Sequence, residues 1–320
     1  MLWFFLIFST ACWGIAEIFY KKGNTAEEEG AHLKTTVFVG IFFGIYSLVI
    51  LFTQDVDLSA LPANMLRYFP VAACYLVSMM CSYYGVRYIE ESISDPIENT
   101  SCAFVPILCA IIMHDELSTW MIVAIVLVVI GILGAGFFDK EGKANRTKNY
   151  GKKLAVISIC MPFCYMLLDA IGTFLDVYYT DSVDSTALIS VTEDTLEHTA
   201  NCCYEFIFFF AAMGILFYMH KKGIKLFETY KGEAKDKPLS VRIGEQKNKI
   251  LAALFETGGQ ATYLFALSEG AGVAAIILGA GTVIISFILS RIWLKEKLTL
   301  TQYSFIALIF AGIIIISLVG

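Results

Sequence analysis

Apolar stretches long enough to cross a membrane occupy nearly the whole of this 320-residue chain. The hydrocarbon core of a bilayer is about 30 Å thick, and an α-helix needs about 20 apolar residues to cross it. Hydrophobic residues make up 58% of the chain, and the mean hydropathy of +0.70 excludes an ordinary soluble domain. The sequence therefore predicts an all-α integral membrane protein with ten transmembrane helices, at about 2–20, 35–53, 65–88, 93–113, 118–138, 153–177, 199–220, 248–267, 271–293 and 300–319.

The second five predicted helices repeat features of the first five. His-Asp-Glu-Leu-Ser at 114–118 matches Lys-Glu-Lys-Leu-Thr at 295–299, so the position numbers differ by 181. Cys-Trp-x-x-x-Glu at 12–17 matches Cys-Tyr-x-x-x-Asp at 164–169, with a difference of 152. We predict a first five-helix repeat at 1–139, a basic connecting loop at 140–152 and a second repeat at 153–320. Because five is an odd number, the two repeats are expected to be inverted relative to each other.

The basic residues predict the orientation in the membrane. With ten helices, the odd-numbered loops carry 22 of the 23 Lys and Arg residues, and the even-numbered loops and both termini carry only Arg67. Basic loops remain on the cytoplasmic side. We therefore predict a multi-pass protein of the cell membrane (inner or plasma) with cytoplasmic basic loops and both termini outside.

Ten helices in two repeats, an acidic-Leu-Ser/Thr hairpin before the last helix of each repeat, and Trp13-Gly14 in the first helix resemble the drug/metabolite transporter superfamily, in its EamA-like branch. The resemblance covers the whole chain and implies a ten-helix transporter of small molecules, without indicating the substrate. Ala16-Glu17 also looks like the membrane-embedded glutamate of the related small multidrug resistance proteins.

Several acidic residues lie within the apolar helices. An ionisable residue at the bilayer centre costs at least ~2.5–3.5 kcal/mol and usually faces a cavity or a partner. The predicted helices place acidic side chains on the same face as aromatic or amide side chains. The candidate substrate-binding and proton-coupling residues are Trp13, Glu17, Tyr165, Asp169, Glu256, Gln260 and Tyr263, and the secondary candidates are Asp95, Glu98, Asp176 and Glu205.

Some of these acids can also have a purely structural role. Glu17 and Glu98 are close enough to helix ends to reach the lipid headgroups, and Asp95 can favour the start of the fourth helix through its dipole. Asp169 and Glu256 are the hardest to explain as surface residues, because they lie well inside apolar stretches.

Carboxylates beside aromatic rings favour a cation, since ring faces add a cation–π attraction of ~0.5–2 kcal/mol. A carboxyl group removed from water also holds a proton more readily, so a proton and a cation can compete for it. We predict a secondary active transporter for a cationic or zwitterionic solute, such as a quaternary ammonium compound, polyamine or amino acid, working by alternating access and coupled to protons.

Two alternatives remain open: a carrier of a neutral or anionic metabolite, and a cation channel or metal carrier. No catalytic or nucleotide-binding motif occurs. We therefore predict no enzymatic activity, no cofactor, no bound metal and no nucleic-acid partner. The expected partners are the small-molecule substrate, the proton and the lipid bilayer.

Overall fold

The structure is a computed structural model that describes residues 2–137, 140–229, 237–295 and 299–319. Side chains are described in these ranges except at 135–150, 269–272, 316, 317 and 319. All regular secondary structure in these ranges is helical. The helices are α1 Leu2–Gly23, α2 Ala31–Thr53, α3 Leu61–Gly85, α4 Glu91–Asn99, α5 Ser101–Leu108, α6 Thr119–Phe137, α7 Lys140–Thr180, α8 Leu196–Lys222, α9 Leu239–Glu245, α10 Lys247–Leu289 and α11 Leu300–Val319.

Eight helical segments of the described chain are long and apolar enough to cross a membrane. They are Leu2–Gly23, Ala31–Thr53, Leu61–Gly85, Glu91–Met113, Gly151–Thr180, Leu196–Lys222, Lys247–Ser268 and Val273–Leu294. Two further apolar helices, Thr119–Gly134 and Leu300–Ile315, are shorter. These segments support a multi-pass membrane protein, whereas the count of ten crossings stays a prediction.

Helix α10 folds back on itself, so its two halves run in opposite directions along α1. In the first half, Lys249 lies beside Gly23 at the end of α1, and Phe265 contacts Phe5 near the start of α1. In the second half the order is reversed, because Gly281 lies against Thr10 and Trp293 contacts Phe19. The chain therefore reverses its direction between Phe265 and Gly281, and both halves contribute side chains to the centre of the bundle.

Residues 140–150, which lie in the predicted connecting loop at 140–152, are helical and form the start of α7. Six of these eleven residues are Lys, Glu, Ala or Arg, which favour a helix, and the segment contains no proline. The helix breaks at Gly151, whose φ of 77° and ψ of 160° are accessible mainly to glycine. The membrane-spanning part of α7 begins after this break.

Two local features recur at the offset of 181 between the repeats. A single π-helical turn follows α5 at Cys109–Met113 and α10 at Ser290–Leu294, and each ends in a left-handed residue, His114 or Lys295. Helices α6 and α11 pack through glycines in a reciprocal way. A Cβ atom on Gly131 would lie 2.6 Å from Ile309, and one on Gly312 would lie 2.7 Å from Val128.

Candidate functional site

A cavity lies at the centre of the bundle, between α1, α3, α4, α5, α7, α8 and both halves of α10. The space between its walls is about 800 Å³, including the part that is open to the outside. Its lining residues are Trp13, Glu17, Tyr20, Tyr75, Met79, Ser82, Tyr83, Asn99, Ser101, Cys102, Tyr165, Asp169, Thr173, Tyr204, Glu256, Gln260, Tyr263, Ala275, Leu278, Gly279 and Thr282.

The cavity brings together all seven of the main candidate residues predicted from the sequence. Trp13 and Glu17 come from α1, and Tyr165 and Asp169 come from the equivalent face of α7. The remaining three, Glu256, Gln260 and Tyr263, line the cavity from the first half of α10. Their roles in binding and proton coupling stay predictions.

The three cavity carboxylates differ in their partners. Glu256 accepts a hydrogen bond of 2.9 Å from the hydroxyl of Tyr20, and Asp169 accepts one of 2.6 Å from the hydroxyl of Ser101. The Oε2 atom of Glu17 is buried and has no hydrogen-bond partner among the described residues. The lining residues include no Lys, Arg or His, so the cavity wall itself carries no positive charge to neutralise these acids.

Aromatic rings form much of the remaining wall. The ring centroids of Trp13 and Tyr263 are 5.0 Å apart, and those of Tyr20 and Tyr83 are 4.5 Å apart. Gly259 permits this arrangement, because a Cβ atom there would lie 2.5 Å from Nε1 of Trp13. The cavity therefore combines carboxylates with aromatic faces, which is a suitable environment for a cation.

The four secondary candidates are buried but do not line the cavity. Asp95 accepts hydrogen bonds from Ser286 and Asn99, and Glu98 accepts one from Ser94. Asp176 accepts a hydrogen bond from Tyr68, and Glu205 accepts one of 3.2 Å from Ser47. The interpretation of Glu98 as a residue that reaches the headgroups is not favoured by its burial within the bundle.

Beside the cavity, three carboxyl groups meet. Oxygens of Glu17, Glu91 and Asp95 lie within 4.8 Å of one another. Glu91 is not among the candidates predicted from the sequence, because it precedes the predicted start of the fourth helix. The fold brings Glu91 inward because α4 begins at this residue.

A buried network of charges lies at the end of the bundle where α1 and α3 end and α2 and α10 begin. The carboxylate of Glu28 is 2.7 Å from the ammonium of Lys34 and 2.6 Å from that of Lys249. Arg87 donates hydrogen bonds to the backbone carbonyls of Thr25, Ala26 and Glu28. Ion pairs at this end, which we call the Glu28 end, join the α1–α2 loop to α2 and α10.

Cavity residues on α3 were not predicted from the sequence, although the repeat contains a signal for three of them. Adding the offset of 181 to Tyr75, Met79 and Ser82 leads to Glu256, Gln260 and Tyr263, respectively. Both sets line the cavity. An uncharged set of Tyr, Met and Ser on an apolar helix resembles ordinary packing, so only the repeat could have identified it.

Comparisons with known proteins agree with this architecture. The model of the EamA-like transporter family matches residues 1–137 and 185–318. Twenty-eight chains of solved structures match this chain. One of them, a crystal structure, is 8% identical to this chain in sequence, with a TM-score of 0.61. That match covers 99% of this chain and 97% of the other, and it shows a shared fold. No curated protein matches the sequence.

The family match extends over most of the chain and includes the helices that contribute Trp13, Glu17, Glu256 and Tyr263 to the cavity. Together with the apolar helices, it defines a multi-pass integral membrane protein. The chain belongs to the EamA-like transporter family, within the drug/metabolite transporter superfamily.

Proposed function

We propose that this transporter carries a small cationic or zwitterionic organic solute, such as a quaternary ammonium compound, a polyamine or an amino acid, in exchange for protons. The observation that carries the proposal is the central cavity, in which Glu17, Asp169 and Glu256 meet aromatic rings without any lining Lys or Arg. Three carboxyl groups in one cavity repel one another when ionised, so a cation or protons must neutralise them.

Competition for the carboxylates would couple the two solutes. When the cavity is empty, protons neutralise the acids; when a cation enters between Trp13, Tyr263 and the carboxylates, it replaces them. Tyr20 and Ser101 donate hydrogen bonds to Glu256 and Asp169 and so hold these acceptors in place. One set of acids cannot hold the cation and the protons at the same time. The movement of a cation in one direction is therefore linked to the movement of protons in the other direction.

The proposed architecture is ten transmembrane helices in two inverted repeats, at 1–139 and 153–320, with both termini outside. The reciprocal packing of Gly131 and Gly312, together with the two π-helical turns at the same offset, supports the repeat. Inverted repeats around a central site are typical of alternating access. In this proposal the two repeats move against each other and expose the cavity to one side at a time.

Two other substrate classes lead to different expectations. A neutral or anionic metabolite would bind without displacing protons, and the acids would then serve only as structural or coupling groups. The approach of Glu17, Glu91 and Asp95 to within 4.8 Å favours a metal-ion carrier as the second candidate. Such a carrier would respond to divalent metals and not to organic cations.

The test is proton release from detergent-purified protein in weak buffer. Choline, putrescine and arginine represent the proposed class, glucose and malate the metabolite alternative, and Mn²⁺ the metal alternative. We expect protons to be released on addition of at least one organic cation, and this release to be lost in Asp169→Asn and in Glu256→Gln. Release only with Mn²⁺, or binding of glucose or malate without release, would contradict the proposal.

A further inference from the structure

A second buried acid lies beyond the cavity, at the end of the bundle opposite to the Glu28 end. Asp176 is 1% exposed and lies on α7 at positions i+3 and i+7 from the cavity residues Thr173 and Asp169. One of its oxygens accepts a hydrogen bond from Tyr68, which is fully buried on α3. The other oxygen has no hydrogen-bond partner among the described residues.

Among the described residues, three phenols, a thiol and a second acid lie around Asp176. Tyr68, Tyr75 and Tyr263 face the carboxyl group, Asp169 lies on the same helix, and the thiol of Cys74 is also near. Arg67, which precedes Tyr68 in the sequence, donates a hydrogen bond to the carbonyl of Ala187. A carboxylate without a counter-charge in such a site is costly, so its presence needs a functional reason.

The phenols also connect this acid to the cavity. Tyr75 and Tyr263 both line the cavity, and their hydroxyl oxygens are 2.6 Å apart. The hydroxyl of Tyr75 is also 2.8 Å from that of Thr173, one turn before Asp176 on α7. A layer of hydroxyl groups therefore lies between the cavity and Asp176. We call this end of the bundle the Asp176 end.

The contacts at the two ends of the bundle involve related positions of the two repeats. Tyr68 and Lys249 are separated by the offset of 181, and Asp176 and Asn24 by the offset of 152. At the Glu28 end, Lys249 bonds to Glu28, four residues beyond Asn24. At the Asp176 end, Tyr68 bonds to Asp176 itself. The contact at one end is thus an ion pair, and the contact at the other end is a hydrogen bond to a carboxyl group that can lose its charge.

We propose that Asp176 is a proton-binding site separate from the cargo cavity, and that its protonation closes this end of the transporter. This inference rests on the proposed proton exchange. Two opposing effects decide which protonation state of Asp176 the closed end favours. Ionisation strengthens the bond from Tyr68, since charge-assisted hydrogen bonds are about twice as strong as neutral ones. Burying a charge without a partner costs more than this gain, so the closed end favours the protonated acid.

Opening this end admits water, which removes the cost of burial and releases the proton. A proton taken up from the compartment that the open end faces then favours closure. This link between proton uptake and closure is useful in an exchanger, because the Asp176 end then closes when the cavity has been loaded with protons. Asn at position 176 imitates the protonated acid in shape and charge, so Asp176→Asn is expected to hold this end closed at every pH.

The test measures the separation of α3 and α7 at this end with a pair of spin labels. Leu66 and Tyr178 are exposed and lie two residues from Tyr68 and Asp176, so they can be replaced by cysteine for labelling. The native cysteines that are not buried are first replaced by serine, namely Cys74, Cys81, Cys160 and Cys164. Distances are compared between about pH 5 and about pH 8, the range in which shifted carboxyl groups titrate.

We expect a longer distance to appear as the pH is raised, and Asp176→Asn to abolish this change while keeping the short distance. Tyr68→Phe, which removes only the hydroxyl donor, should increase the long-distance fraction at low pH. Asp181→Asn, which changes an exposed acid just beyond the end of α7, is the control and should keep the response. An unchanged response in Asp176→Asn, or no response without this substitution, would overturn the inference.

The proton-release assay separates this inference from the proposed function. Asp176→Asn should still release protons when an organic cation binds, because the cavity acids Asp169 and Glu256 remain. If the spin labels respond as expected but no cation releases protons, the proposed exchange fails and the closure stands as a pH-dependent feature only. If cations release protons but the labels do not respond, the exchange stands and the role of Asp176 is wrong.

Discussion

Replacing Glu28 by glutamine should destabilise the protein far more than the loss of an exposed ion-pair partner does. Glu28 is 3% exposed and balances two ammonium groups, those of Lys34 and Lys249, which are 1% and 2% exposed. Glutamine keeps the size of the side chain and removes the charge. Two buried cations then face each other near Arg87, which adds to the repulsion.

The expected loss follows from the burial of the network. Breaking a buried ion pair by removing one partner costs ~3–5 kcal/mol, because an uncompensated charge stays behind. We expect Glu28→Gln to lower the free energy of unfolding by at least this amount, since two ammonium groups lose the carboxylate that balances their charge. This loss corresponds to roughly two to four powers of ten in the unfolding equilibrium constant. Titration with sodium dodecyl sulfate in mixed micelles measures it.

The matched control is Glu245→Gln at the exposed ion pair between Lys237 and Glu245. Their side chains are 37% and 29% exposed, and surface pairs contribute at most ~1 kcal/mol. Replacing the whole network by apolar residues, with Glu28→Leu, Lys34→Met and Lys249→Met together, should recover most of the lost stability. A loss in Glu28→Gln no larger than that in Glu245→Gln would refute the burial of this network.

Two pairs of glycine substitutions test the packing. Gly40→Ala should lower the free energy of unfolding by ~1–3 kcal/mol, because the added Cβ would lie 2.7 Å from the carbonyl oxygen of Phe208, whereas Gly214→Ala, with open space around it, should not lower it. Gly259→Ala should displace the indole of Trp13 and weaken organic-cation binding by roughly 2- to 30-fold in calorimetric titration. A Cβ atom added at Gly258 would have its nearest neighbour 3.2 Å away, so Gly258→Ala should have little effect on binding. Equal losses of affinity in the two variants would argue against a role for the indole.

The main elements of the cavity could be predicted from the sequence because a charge inside a membrane is costly. Glu17, Asp169 and Glu256 lie in apolar stretches with no basic residue deep inside a helix to neutralise them, so the interior of the bundle was their expected location. Helical spacing then added Trp13 and Tyr263 to the same faces. The structure places all five around one cavity, and their chemical roles remain predictions.

The buried charges at the Glu28 end could not be predicted in the same way. Glu28 lies in a short loop, and Lys34 and Lys249 lie at the ends of apolar stretches, where charged residues usually contact water. The burial of these three residues arises because α1, α2 and α10 meet at the same point. That meeting depends on contacts between residues 221 positions apart, which no local pattern reveals.

The helical segment 140–150 and the approach of Glu91 to Glu17 also depend on tertiary structure. A charged segment between two apolar stretches is typical of a loop. Here the charged segment is helical up to the break at Gly151. Glu91 belongs to an acidic turn in the sequence, and only the start of α4 at this residue brings it beside the α1 acid. Neither feature is indicated by a periodic pattern of apolar residues within its own segment.

Cation-driven proton movement across a membrane tests the central claim most directly. The purified protein is reconstituted into liposomes that contain a pH-sensitive dye, and the cation that releases protons in detergent is added outside. The account predicts that protons leave the lumen as the cation enters, and that Asp169→Asn and Glu256→Gln each abolish the change. Entry of the cation with no change in luminal pH, or a change that persists in both variants, would contradict it.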